Sequence, residues 1–420
     1  MHVDIVRCIK LWRLWLNLYD LIRIFLLLRP FETIIVSTRK SLIALAFGTF
    51  GLGMTEFAMM GILPFVASDF GISIPNAGRF ISAYALGVCV GAPVMALSVR
   101  RWPMKRILIL LMSIFVVASL GVCLCPSRAY GLMLALRFLQ GVPHGSYFSV
   151  GCIVADRISE PGKSSFSIAI MCAGMSVANI VGNPLATLIS GFASWRLIYS
   201  VSFVWGVLTL LAIMRYVPYV APLRDSGVRG QFRFLKHGAP WLMVGATLLG
   251  NGGIFCWYSY VNPMLTSVAG ISSALVPLVL VLAGVGMFTG NLVGGKLSDR
   301  FKPGHIGRLM QCIMLVSSLG LFILGQYEWC AVPLVFFGTF ALFGVSSPQQ
   351  LLLIRYAEGG ELMGGAMVQI AFNFGNAIGA FAGGLPIASG LGYEYSALVG
   401  AGFVIVGLTC YTAFCVKYER

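Results

Sequence analysis

Within its long apolar runs this sequence keeps very few ionisable side chains, and their types and spacing carry whatever chemistry the chain performs. Glu56 stands in Gly53-Met54-Thr55-Glu56-Phe57, eight residues before Pro64. A carboxylate held in hydrocarbon costs about 2.5–3.5 kcal/mol on insertion scales, so it is rarely retained without a purpose. Burial favours the neutral acid and a nearby cation favours the charged form, which is the balance needed by a group that takes up and releases a proton. The plainer alternative is a neutral acid bonded to a neighbouring helix. Arg137, in Leu136-Arg137-Phe138-Leu139-Gln140-Gly141, is the one cation deep in an apolar run, and an unpaired guanidinium there is expensive. Glu56, Gln140 and backbone carbonyls all qualify as its partner. Its role is either to bias the protonation of Glu56 or to tie helix ends together.

Uncharged polar groups that lipid cannot satisfy must face an interior. Asn179 and Asn183 in one run, and Gln369, Asn373 and Asn376 in another, are therefore candidates to line a cavity, with interhelical bonding as the commoner use of such groups. Tyr84, His144, Asn251 and the aromatic pair Trp257 and Tyr258 join that set; stacking on a ligand competes with simple packing for the aromatics, and packing competes with proton relay for His144. The turn Gly295-Lys296-Leu297-Ser298-Asp299-Arg300-Phe301 joins two apolar runs. There Gly295 lets helices approach, Asp299 can accept from a helix N-terminus, and Arg300 can make a charge-assisted bond. Gly174, Gly182, Pro184 and Gly191 put close-packing sites and a kink along one run.

Other chemistries find no support. The 11 cysteines are scattered without disulfide or zinc spacing. Gly290 to Leu297 imitates a phosphate-binding loop until Leu297 stands where Ser or Thr is required, and no strand precedes it. No paired catalytic acids, metal-ligand set or nucleophile constellation appears. We therefore expect no enzyme, no metal and no bound cofactor.

The elements that must position these residues follow from composition. Of 420 residues, 58% are hydrophobic and 10% charged, far below the charged share of soluble domains. Runs long enough to cross about 30 Å of hydrocarbon are read at 43–66, 77–97, 107–125, 130–154, 167–189 and 197–217, then at 239–265, 273–295, 309–326, 331–354, 362–389 and 395–416. With loops assigned alternately, 25 of the 29 Lys and Arg fall on one side, which predicts that both termini and the central loop are cytoplasmic. The net charge of +15 is thus explained by topology and not by a nucleic-acid partner. An offset of 199 residues superposes Gly51 on Gly250, Pro64 on Pro263, Gly87 on Gly286, Gly91 on Gly290 and Arg101 on Arg300, implying two parallel halves. The expected organisation is a basic extension over 1–40, a six-helix half over 41–217, a cytoplasmic linker over 218–238 and a second half over 239–420. The extension is read either as an interfacial helix or as residues ahead of a true start near Val36.

Taken together, these motifs resemble the major facilitator superfamily, over about Ser37 to the C-terminus. Gly295 to Phe301 is similar to its G-x-L-x-D-R gating motif, with a degraded first-half copy in which Arg101 alone matches well. Arg137 to Gly141 is similar to its fourth-helix motif. Gly174 to Gly191 is similar to its fifth-helix antiporter motif, although Asn183 separates Gly182 from Pro184. The strings 48–54, 71–75, 84–88 and 369–373 resemble AraJ-type arabinose efflux permeases. The resemblance implies an all-α membrane protein with twelve transmembrane helices in two six-helix halves, each an inverted 3+3 repeat. It further implies a monomer in a bacterial inner membrane that exports a sugar or small drug-like solute against protons, with Glu56 and Arg137 coupling and Arg101, Gly295, Asp299 and Arg300 gating. Proton-coupled import and a non-transporting sensor are the rival readings.

Overall fold

A computed structural model describes residues 38–223 and 227–419, apart from the side chains at 74, 75, 183, 184, 187 and 191. The expected interfacial helix lies almost wholly outside the described residues, as do the side chains of Asn183 and Pro184. Among the described residues the chain is helical without strands. The first half comprises α1 (Thr38–Phe70), α2 (Ile74–Ser98), α3 (Met104–Leu124), α4 (Tyr130–Ile158), α5 (Ser164–Phe192) and α6 (Arg196–Tyr216). Two short helical turns, Gly227–Gln231 and Arg233–Lys236, follow. The second half holds an interrupted α7 from Gly238 to Val268, then α8 (Val276–Arg300), α9 (Pro303–Leu324), α10 (Glu328–Gly344, resuming as Ser346–Arg355), α11 (Glu361–Ala388) and α12 (Glu394–Tyr418).

Local signals explain several boundaries. Gly71 takes a positive φ of 64° after α1, a conformation glycine adopts without strain. Ser73 then caps α2 by accepting from the Asn76 N–H. Eleven helices among the described residues are long and apolar enough to cross a membrane. The exception is α4, whose Arg137, Gln140 and His144 are all buried. A helix that carries its polar groups inward and leans on neighbours is built for a bundle interior.

Small residues set the crossings, as expected where helices cannot rely on hydrophobic exclusion by water. At Gly174 of α5 an added Cβ would overlap the Ala46 carbonyl of α1, and Thr49 Oγ1 donates to the Met171 carbonyl at 2.6 Å across the same seam. Large apolar side chains such as Leu124, Phe192, Trp329 and Phe381 point outward, suited to lipid.

One irregularity was not readable from hydropathy. Helix α7 contains two π-helical segments, Ala246–Asn251 and Met264–Val268, and breaks near Tyr260. Buried Gln311 of α9 donates to the Ala246 carbonyl at 2.8 Å, satisfying an acceptor where the helix widens. Such bulges recur at functional positions.

The two halves are tied together at the end that carries Thr38 and Tyr418. Asp299, at the end of α8, accepts from the Ser165 and Phe166 backbone N–H groups of α5, each at 2.7 Å. Ser347 Oγ donates to the Ser165 carbonyl at 2.6 Å, Asn291 to the Ala169 carbonyl at 2.8 Å, and Ser149 Oγ to the Leu362 carbonyl at 2.7 Å. Gly295 lets α8 approach Ala169 and Ser165 of α5. This end is closed, and the space between the halves lies beyond it.

Candidate functional site

A cavity of about 370 Å³ lies between the halves. From the first half, α1 contributes Glu56, Phe57 and Met60, α4 contributes Phe148, and α5 contributes Cys172, Met175 and Asn179. From the second half, α7 contributes Phe255, Tyr258 and Ser259; α10 contributes Phe343, Ser346 and Gln349; and α11 contributes Gln369, Phe372 and Asn376. Met287 of α8 completes one wall. Glu56 is the only Asp, Glu, Lys, Arg or His among the lining residues. The cavity thus offers aromatic faces, adaptable thioethers, a few amides and one carboxyl group, a composition typical of small-molecule sites.

Glu56 stands where α1 meets α4. Its Oε2 is buried without a hydrogen-bond partner among the described residues and lies 3.7 Å from Nδ1 of His144. His144 is buried, stacks on Phe148 at 5.2 Å between ring centroids, and is joined to the Tyr84 hydroxyl at 2.8 Å. His144 and Tyr84 therefore back the carboxyl group and do not line the cavity.

Arg137 is fully buried, and among the described residues it makes no ion pair with Glu56. Its Nη1 donates to the Thr55 carbonyl at 3.1 Å and to Gln140 Oε1 at 2.5 Å, its Nε donates to the Phe80 carbonyl at 3.3 Å, and its guanidinium lies 4.7 Å from the Tyr84 ring centroid. Gln140 passes the chain on to Ser119 at 2.9 Å. Of the alternatives open in the sequence, the guanidinium takes Gln140 and backbone carbonyls. It binds α1, α2 and α4 together beneath the carboxyl group.

The remaining candidates divide. Asn179, Tyr258, Gln369 and Asn376 line the cavity. Asn251 instead exchanges amide bonds with Gln349 at 3.0 and 3.3 Å, Trp257 is buried with its Nε1 donating to Ser318 at 3.2 Å, and Asn373 donates to the Gln369 carbonyl. Gly182 is buried against Met54 and Phe57 of α1. Arg101 is exposed in the turn after α2. Arg300 is exposed and lies over the Phe301 ring at 5.7 Å, making no charge-assisted bond across the halves among the described residues, so Asp299 carries that junction. Ser346 and Gln349 were missed in the sequence, although the polar string Ser346-Ser347-Pro348-Gln349-Gln350 inside an apolar run was the signal. Away from the cavity, His305, Cys415 and Glu419 bring possible ligand atoms within 4.8 Å of one another; His305 and Glu419 are paired there at 3.4 Å.

Long apolar helices in two halves, closed at one end around a cavity with a single acid, define a multi-pass membrane transporter of small molecules. Residues 45–367 match the model of the Major Facilitator Superfamily, and the chain belongs to that family. It is 42% identical to AraJ, a transporter candidate of Escherichia coli strain K12, over 86% of this chain and 92% of that one. It is 34% identical to the inner membrane transport protein YdhP of the same organism, over 89% and 95% of the two chains. Among solved structures, the Escherichia coli fucose:proton symporter FucP shares the fold with a TM-score of 0.71 at 15% identity, covering 89% of this chain and 98% of that one.

Proposed function

We propose that this transporter exports a sugar derivative or small drug-like solute in exchange for protons, by alternating exposure of the central cavity. The observation that carries this reading is Glu56, the one acid in the cavity wall among the described residues, with an oxygen that no donor among them satisfies. A proton entering from the cavity has one place to go. Glu56 takes it up from outside and releases it inside, and Arg137, fixed nearby, biases that exchange electrostatically.

Among the described residues the cavity wall contains no Lys, Arg or His, so it favours neutral or cationic solutes over anions. Its aromatic rings stack on a flat face, such as an aromatic group or the apolar face of a sugar, while Gln369 and Asn376 offer amides. The basic loops favour a cytoplasmic position for the closed end and both termini in a bacterial inner membrane, and on that reading the arrangement described above is open outward. Asp299 holds the cytoplasmic gate with Gly295, and Arg101 and Arg300 flank it. The fifth-helix series Gly174, Gly182 and Pro184 favours export. Because FucP is a symporter, proton-coupled import through the same cavity is the second reading.

In proteoliposomes with an imposed pH difference, Glu56→Gln is expected to abolish pH-driven solute movement while the protein remains folded. Unaltered pH-driven movement removes Glu56 from the mechanism.

A further inference from the structure

His144 Nδ1 offers one hydrogen-bonding position, and two side chains compete for it. Tyr84 Oη holds it at 2.8 Å, while Glu56 Oε2 stands off at 3.7 Å and has no partner. Tyr84 Oη also lies 3.2 Å from the Leu52 carbonyl of α1, so its single O–H has two acceptors within reach. Stacking on Phe148, at 14° between ring planes, fixes the orientation of the imidazole. We assign His144 the tautomer with its proton on Nε2 and a lone pair on Nδ1, because a proton on Nδ1 would give the nearby carboxylate oxygen a donor that it lacks among the described residues. A carboxylate presents only lone pairs and cannot approach that atom. The stand-off and the unsatisfied oxygen follow.

We propose that His144 and Tyr84 form a two-position hydrogen-bond switch that reports the protonation of Glu56 to α2. The proposal rests on the reading of Glu56 as the proton site. When cavity water delivers a proton to the carboxylate, the new acid O–H becomes a second donor for the same lone pair. Glu56 closes on Nδ1, and Tyr84 turns its O–H to the Leu52 carbonyl. No other bond is made or broken. The imidazole of α4 thereby exchanges a tie to α2 for a tie to α1, while Tyr84 is left bonded to α1. His144 and Tyr84 are positioning residues in this scheme, since the proton itself resides on Glu56.

The titratable groups around the switch are Arg137 on α4, Tyr199 on α6, Cys172 on α5 and Tyr258 on α7, and α11 presents the amides Gln369 and Asn376. None of them hydrogen-bonds Nδ1 among the described residues. At the offset of 199, Glu56, Tyr84 and His144 correspond to Phe255, Ala283 and Phe343, so the switch belongs to the first half alone.

Infrared difference spectroscopy across a pH titration in lipid nanodiscs tests this, with Glu56→Gln assigning the carboxyl band and Tyr84→Phe the tyrosine band. The expected result is that both bands titrate with one midpoint. In His144→Phe, a change that the second half already accommodates at Phe343, the Tyr84 response is expected to vanish while the Glu56 band still titrates, at the frequency of a more weakly bonded acid. A Tyr84 band that stays constant through the Glu56 titration, or that still follows it in His144→Phe, overturns the switch and leaves the proton site standing. A titration with no carboxyl band removed by Glu56→Gln overturns both. Should His144→Phe not fold, nitrogen-15 NMR of histidine in the unsubstituted protein decides: a proton on Nδ1 on either side of the midpoint refutes the switch.

Discussion

Arg137 illustrates how a buried charge can be structural and electrostatic at once. Its guanidinium reaches acceptors on three helices, a geometry that a point ammonium cannot reproduce. Arg137→Lys keeps the charge but loses charge-assisted bonds worth roughly 1.5–3 kcal/mol each. A lower melting temperature in detergent is expected, and an unchanged one would show that these bonds do not hold the bundle. Trp257 fills the corresponding region of the second half and bonds to Ser318, which sits at the offset of 199 from Ser119. Where one half ties its core with Arg137, Gln140 and Ser119, the other uses an indole. The cavity wall shows the same division, with Glu56 on one side and Phe255 at the equivalent position on the other. Phe255→Ala is therefore expected to raise KM by about two- to twelvefold, from a lost stacking contribution of about 0.5–1.5 kcal/mol, while the pH dependence of transport stays unchanged. A shift in that pH dependence would mean that the two halves do not separate solute from proton.

At the scale of elements, the decisive junction is α8 against α5. Asp299 accepts two backbone N–H groups at the first turn of α5, where carboxylate charge and helix dipole reinforce each other. Asp299→Asn removes the charge and one acceptor, loosening the closed end, cytoplasmic in the proposed orientation, by about 1–2 kcal/mol, a factor of about 5–30 in population. The state open to the outside then becomes rarer. A cysteine placed at Ser259, in the cavity wall, reports this as slower reaction with a membrane-impermeant maleimide added outside. Equal labelling rates with and without Asp299→Asn would deny the junction a gating role. The spans and their order were legible because hydrocarbon imposes length and apolarity on every crossing. The run 130–154 is read on the same ground, yet α4 is the helix that falls outside the eleven, because its polar Arg137, Gln140 and His144 are carried inward. The π-helical segments of α7 were not legible; at the first of them the Ala246 carbonyl is bonded by Gln311, a side chain two helices distant.

For the molecule as a whole, the candidate site was half readable. Glu56 announced itself by the cost of an acid in oil, and Asn179, Gln369 and Asn376 by the rule that polar groups turn inward. Pairing was beyond reach: nothing in the sequence says that Asn251 closes on Gln349 or that Arg137 takes carbonyls, since these outcomes depend on the crossings that Gly174 and its counterparts allow. What the assembled structure adds is an end closed between the halves and a cavity whose one acid among the described residues stands beside His144. The proposed antiport makes a directional claim: solute leaving the cell must be met by protons entering it. The most direct measurement is made in proteoliposomes loaded with a pH dye, using a solute chosen from a screen of pentoses, glycosides and small aromatic drugs. With a solute gradient and no initial pH difference, the account predicts proton movement opposite to the solute, absent in Glu56→Gln. Proton movement in the same direction as the solute, or none at all, would contradict it.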